Sequence, residues 1–192
     1  MIFYLKVDYE QINRYKSLML GFNNSLPIIQ APMAGGITTP KLVGAVSKAG
    51  AIGSFGFAYS SSTEISRQLR EVRKITKNPL NCNFFLFPEI HEEERLDFRK
   101  AAKPLTDLSI RFDTPYDVLP PPYNPSLKAQ LEVIWTEKPE ILTFHFGVPN
   151  RKIISLAKSL GITIGVTVTN KKEAEVAFRS GVDFFVAQGL EA

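Results

Sequence analysis

Leu26–Gly36, LPIIQAPMAGG, is the stretch from which the fold of this chain is read. Its apolar pair, Ile28 and Ile29, is followed by polar Gln30, then Pro32, then Gly35 and Gly36, so a strand gives way to glycine-freed backbone where it ends. A strand that ends this way presents bare backbone to a ligand. In the following TTPKLVGAVSKAG, Thr39 is placed to cap a helix, Pro40 suits its first position and Gly50 falls just past its end. The opening is therefore strand, glycine turn, helix.

The same unit recurs along the chain. AIGSFGF predicts a second strand, and Ser61 to Glu64 forms a capping box before the helical stripe Ile65, Leu69, Val72 and Ile75, which Asn78 and Pro79 end. LNCNFFLF is the third strand. From Asn124 and Pro125 a helix with Leu127, Leu131 and Ile134 on one face runs to Pro139, and ILTFHFG is the fourth strand. Asn150 opens the next helix (Ile153, Ile154, Ala157, Leu160), Gly161 ends it, and ITIGVTVT is the fifth strand. Asn170 with Glu173 repeats the capping signal, Gly181 closes that helix, and VDFFVAQG is the sixth strand. Between the third strand and Asn124, a charged segment interrupted by Pro104 and a run containing Pro115, Pro120, Pro121 and Pro122 predict one irregular helix and a long loop. The reading is thus an N-terminal extension and lead-in helix over 1–25, and one α/β domain over 26–192 with an irregular excursion at 88–125.

Strands joined by helices pair in parallel, either as an open doubly wound sheet or as a closed barrel. In the fourth strand Leu142, Phe144 and Phe146 share one face while Thr143 and His145 share the other. In the fifth, Ile162, Ile164, Val166 and Val168 oppose Thr163, Gly165, Thr167 and Thr169. A barrel strand has this contrast, apolar under its helices and small or polar toward the ligand, whereas a strand covered on both faces is apolar throughout. The pattern favours the barrel, with a Rossmann-like sheet as the alternative.

Composition narrows the function classes. The chain has 192 residues, is 44% hydrophobic and 22% charged, and carries a net charge of +4 spread along its length with no basic patch, so nucleic acid is not an expected partner. The lone Cys82 lies in an apolar run, which argues against a disulfide framework and for the cytoplasm. Nothing resembles a membrane span. GSFG at 53–56 is too short for a dinucleotide loop, and neither GxGxxG nor GxxxxGK occurs. Of the two histidines, His91 in HEEER reads as solvated and His145 faces the polar side of its strand, as a satisfied core histidine or a ligand-facing one. One Cys and no paired His exclude the usual zinc and iron sets, so no metal is expected.

QAPMAGGITTPKLVGAVSKAGAIGSFG, NCNFF, LTFHFGVP and the terminal VAQGLEA, in this order and at these separations, resemble the nitronate monooxygenases, formerly called 2-nitropropane dioxygenases. The resemblance implies a TIM (β/α)8-type barrel, about six of its units in this chain and the last two missing, that binds FMN and oxidises alkyl nitronates with O2 to a carbonyl compound and nitrite. It places Ala31, Pro32 and Met33 against the flavin through strand-end backbone, Asn83 on the cofactor from the third strand, and Gln188 with Gly189 from the sixth. A buried amide serving a loop is the alternative for Asn83, and a helix-entry residue for Gln188. His145 is implied only as a pocket neighbour, since the family's catalytic histidine follows AQGxEA and two glycines, beyond Ala192. Flavin-dependent enoyl-acyl-carrier-protein reductases begin with a similar strand and PM turn, and a non-catalytic truncated product is the third reading. Oligomeric state is not legible.

Overall fold

The computed structural model describes residues 26–86, 98–114 and 124–190. In chain order the elements are α1 (Pro40–Lys48), β1 (Gly53–Gly56), α2 (Ser62–Ile75), β2 (Leu80–Phe85), α3 (Phe98–Arg111), α4 (Leu127–Glu137), β3 (Ile141–His145), α5 (Arg151–Ser159), β4 (Thr163–Val168), α6 (Lys171–Ser180) and β5 (Phe184–Ala187). Two compact units divide the chain, 1–86 with 125–192, and 87–124. The second contains α3, the expected irregular helix, with Pro104 inside it. The expected lead-in at 1–25, His91, the prolines from 115 to 122 and Ala192 lie outside the described residues.

In the first unit all five strands form one parallel sheet in the order β1-β2-β3-β4-β5. A doubly wound sheet reverses its strand order at a switch point, and this one never does. Successive strands are spatial neighbours throughout, which is how a (β/α) barrel is built.

Five strands form where six are expected, because the first is reduced to a single parallel bridge between Ile29 and Ile52. Its ladder is nevertheless real: Ile52 N donates to Ile28 O and Gln30 N to Ile52 O, both at 2.9 Å. Beyond that point Ala31 and Pro32 cannot continue it, and the Gln30 side chain takes over. Its Nε2 lies 3.3 Å from Ser54 O and its Oε1 accepts from Ser54 N at 3.4 Å, so one amide side chain imitates the missing strand residue.

Helix starts follow the sequence. Thr39, Ser61, Asn150 and Asn170 each accept a hydrogen bond from the backbone N–H three residues on, as N-caps do. α4 is the exception, capped by Ser126 instead of Asn124, and it ends at Lys138, which leaves the helix with a left-handed φ of +47° just before Pro139. Phe146 also departs from expectation. Its φ of +67° turns it off the apolar face of β3, and it is 69% exposed.

The core lies between the outer face of the sheet and the helices. Phe55, Cys82, Phe84, Leu142, Phe144, Ile164 and Val166 alternate along the strands and meet Ile65, Leu69 and Ile134 from α2 and α4, all at 0–2% exposure. Phe55 and Phe57 stack with centroids 4.7 Å apart. Burial pushes the Cys82 thiol well above its ordinary range, so it packs as a small apolar group and has no nucleophilic role. No helix among the described residues is long and apolar enough to cross a membrane.

Close packing of α1 on β1 requires Gly53, where an added Cβ would lie 2.1 Å from Val43 O. At Gly161 an added Cβ meets nothing within 4 Å, and only its φ of +75° opposes substitution. Gly53→Ala is therefore expected to destabilise the protein by about 3 kcal/mol or more and Gly161→Ala by about 1 kcal/mol. Urea unfolding of the two variants checks this, and equal midpoints would contradict the packing argument.

Candidate active site at the C-terminal ends of the strands

The inner face of the arc carries the small and polar residues. Asn81 and Asn83 on β2 are in register with Ile141 and Thr143 on β3, and Thr143 with Gly165 on β4. Side chains two residues apart on neighbouring strands thus form one hydrogen-bonded row. Asn81 Nδ2 donates to Ser54 Oγ at 3.2 Å, Thr143 Oγ1 donates to Asn81 Oδ1 at 3.0 Å, and Asn83 Nδ2 donates to Thr143 Oγ1 at 2.9 Å. The row ends at His145, whose Nδ1 is 3.2 Å from Asn83 Nδ2 and whose ring nitrogens are 3.1 and 3.2 Å from Thr167 Oγ1.

This row lines an inner cavity of about 480 Å³, within the range of small-molecule sites. Phe184 fills its lower part, its ring lying over Gly165, where any Cβ would fall 2.4 Å from the ring. A second cleft of about 830 Å³ opens between the turn after β3 and the start of α6, bordered by Phe146, Lys172 and Glu173, and it shares His145, Thr167 and Gln188 with the inner cavity. At the mouth, Phe85 meets Phe146 edge-on at 4.8 Å and His145 at 6.0 Å, so aromatic rings border the histidine on one side.

The residues singled out from sequence converge here with one exception. Ala31, Pro32, Asn83, His145, Gln188 and Gly189 all line the inner cavity. Met33 is absent from that lining. Its carbonyl accepts from Thr38 Oγ1 at 3.0 Å, Thr38 accepts in turn from Gly56 N at 3.1 Å, and the Met33 backbone sits where a Cβ on Gly56 would be. Gln188 N donates to Val168 O at 3.0 Å, extending the β4–β5 ladder past β5 and aligning the Gln188–Gly189 turn with the cavity.

Sequence reading missed the roles of Asn81, Thr167 and the Gln30 side chain, and it did not foresee that Thr143 connects two amides. The spacing N-C-N at 81–83 and T-F-H at 143–145 announces two same-face pairs, but only the register places them side by side.

His145 is both satisfied and cavity-facing, so the two alternatives coincide in one residue. Half-burial lowers its pKa from the ordinary 6.5, which favours the neutral ring. At the start of α6, the Glu173 carboxylate accepts from Thr169 N at 2.7 Å and Thr169 Oγ1 at 2.9 Å, and these bonds lower its pKa.

Comparison with known proteins agrees with this geometry. The family model for nitronate monooxygenases matches residues 16–192. The nitronate monooxygenase of Paraburkholderia phytofirmans is 38% identical over 173 residues, covering 86% of this chain and 46% of that protein, and the one of Pseudomonas aeruginosa is 35% identical with 86% and 48% covered. The chain therefore spans about half the length of these relatives. Among solved structures, nitroalkane oxidase from Streptomyces ansochromogenes superposes with a TM-score of 0.77 at 31% identity, over 88% of this chain and 48% of that one. FabK from Thermotoga maritima, at 23% identity and a TM-score of 0.66 over 93% and 44%, shares the fold. The register, the cavity at the strand ends and these matches lead to one assignment: the chain belongs to the nitronate monooxygenase family.

Proposed function

We propose that the chain supplies part of the FMN site and of the substrate pocket of an enzyme that oxidises alkyl nitronates with O2 to a carbonyl compound and nitrite, the activity being that of the whole protein. The observation that carries this reading is the convergence of Ala31, Pro32, Asn83, Gln188 and Gly189 on the inner cavity, beside His145.

The lining suits the ring of a flavin. The methyl of Ala31 and the ring of Pro32 offer an apolar wall, and Gln188 and Gly189 line the same cavity with polar groups. Among the described residues no Lys or Arg lines the inner cavity, so those present fit the ring better than its phosphate. When bound, FMN would accept electrons from the nitronate and hand them to O2. The protein's own task is placement. The Gln30–Ser54 pairing fixes the approach of Ala31 and Pro32, Asn83 orients His145, and Phe85 and Phe146 border the mouth. A nitronate is already an anion, so a positioned donor matters here more than a strong base.

Flavin released from the whole protein by heat is expected to run as FMN, with nitrite formed from propyl nitronate. An FAD peak would overturn the FMN reading, and NADH oxidation driven by an enoyl thioester without nitrite would replace nitronate oxidation with the reductase reading. Gln188→Ala should weaken flavin binding by about 1–3 kcal/mol through loss of a polar partner, and unchanged affinity would reduce Gln188 to a structural role.

His145 gives a prediction in pH. Its folded-state pKa is depressed, so the unfolded chain binds the proton more tightly and stability is lost as pH falls from the unfolded value near 6.5 through the folded one. The unfolding midpoint of the wild type should fall more steeply than that of His145→Gln between about pH 7 and pH 5. Parallel curves would show that His145 is not buried as described.

A further inference from the structure

The row from Asn81 to His145 has a direction. Thr143 owns one hydroxyl hydrogen, which it gives to Asn81 Oδ1 at 3.0 Å. Its oxygen then accepts from Asn83, whose Nδ2 is 2.9 Å away, and that same Nδ2 lies 3.2 Å from His145 Nδ1. A side-chain NH2 can only donate, so Nδ1 must be the bare nitrogen of the ring. The ring hydrogen then sits on Nε2; Thr167 Oγ1, 3.1 Å from Nδ1 and 3.2 Å from Nε2, is compatible with either tautomer, and the choice is made by Asn83. At the far end the row closes on a hydroxyl, with Asn81 Nδ2 donating to Ser54 Oγ at 3.2 Å.

Turning both amides over would reverse every bond and move the ring hydrogen to Nδ1, so the two asparagines must agree on a direction. They can do so only through the Thr143 hydroxyl. Asn81, Asn83 and Thr143 are exposed by 2, 1 and 4%, which leaves bulk water little access to an unmatched group.

We propose that Thr143 is a positioning residue that acts through Asn83 to hold His145 as the Nε2–H tautomer. His145 then carries its one N–H on Nε2 and is a hydrogen-bond donor there, while its Nδ1 lone pair accepts from Asn83, so it is not the general base of the site. This inference rests on the geometry of the row and stands whether or not the flavin reading does.

The test is long-range 1H–15N correlation on the whole, ligand-free protein labelled with 15N-histidine, above the titration range of the ring, with the His145 signals assigned by their loss in His145→Gln. The expected wild-type pattern is a bare Nδ1 and a protonated Nε2. In Thr143→Val, which keeps the shape and removes the hydroxyl, the share of the Nδ1–H form should rise several-fold, and Thr143→Ser should restore the wild-type ratio. A wild type protonated on Nδ1 would overturn the proposal, as would a Thr143→Val variant with an unchanged ratio. If the valine variant does not fold, the wild-type pattern and its retention in Thr143→Ser decide alone, and a shifted ratio in the serine variant counts against the proposal.

Discussion

Asn81, Asn83 and Thr143 are almost fully buried, and amides and hydroxyls at such positions must find partners or destabilise the fold by about 1–3 kcal/mol each. Their partners are one another, which is possible only while β2 and β3 stay in their observed parallel register. A slip of one residue would turn Asn83 into the helix-covered layer now held by Cys82 and Phe84 and bring those two into the cavity. The polar row therefore specifies the register that places the site, and the apolar layer on the opposite face specifies the same register independently.

The two ends of the strands carry different loads. At their starts, polar side chains take the first backbone N–H groups: Ser47 Oγ accepts from Gly53 N, Glu140 from Leu80 N and Asp183 from Ile164 N, at 3.1, 2.9 and 2.9 Å. Glu140 is also bound by Arg73 and Asp183 by Lys158, both at 2.8 Å, so each carboxylate is charge-paired while it caps a strand. These contacts fasten the sheet and face away from the cavity. At the other ends Pro32 lies past the bridge of its strand, His145 and Gln188 make the last ladder bonds of theirs, and all three line the cavity, the usual separation of stability and chemistry in a (β/α) barrel.

How much of this was readable from the chain follows from the range of each interaction. Helix starts are local, since Thr39, Ser61, Asn150 and Asn170 need only the next three residues, and all four were legible. The inward parity of Thr143 and His145 is equally local. Strand order, the bridge at Ile29 and the pairing of Asn83 with Thr143 join residues tens of positions apart, and no spacing in the sequence encodes them. The misplacement of Phe146 has another cause. Alternation predicts its face correctly only if β3 continues, and a positive φ at a bulky residue is a conformation that sequence gives no reason to expect.

The electrostatics of the site follow from what is absent from its walls. Among the described residues the inner cavity has no Lys, Arg, Asp or Glu in its lining, and the start of α6, which would otherwise attract an anion, is already served by Asn170 and Glu173. Lys172 is the one basic side chain among the described residues at the adjoining cleft. An anion bound beside His145 would therefore meet neutral, fixed donors more than formal charge. In a half-buried pocket such donors interact strongly and need no reorganisation as charge moves during a reaction. That arrangement works only if each donor is held with its hydrogen in the right place, and in this chain the buried Asn81–Thr143–Asn83 row is built to hold it there.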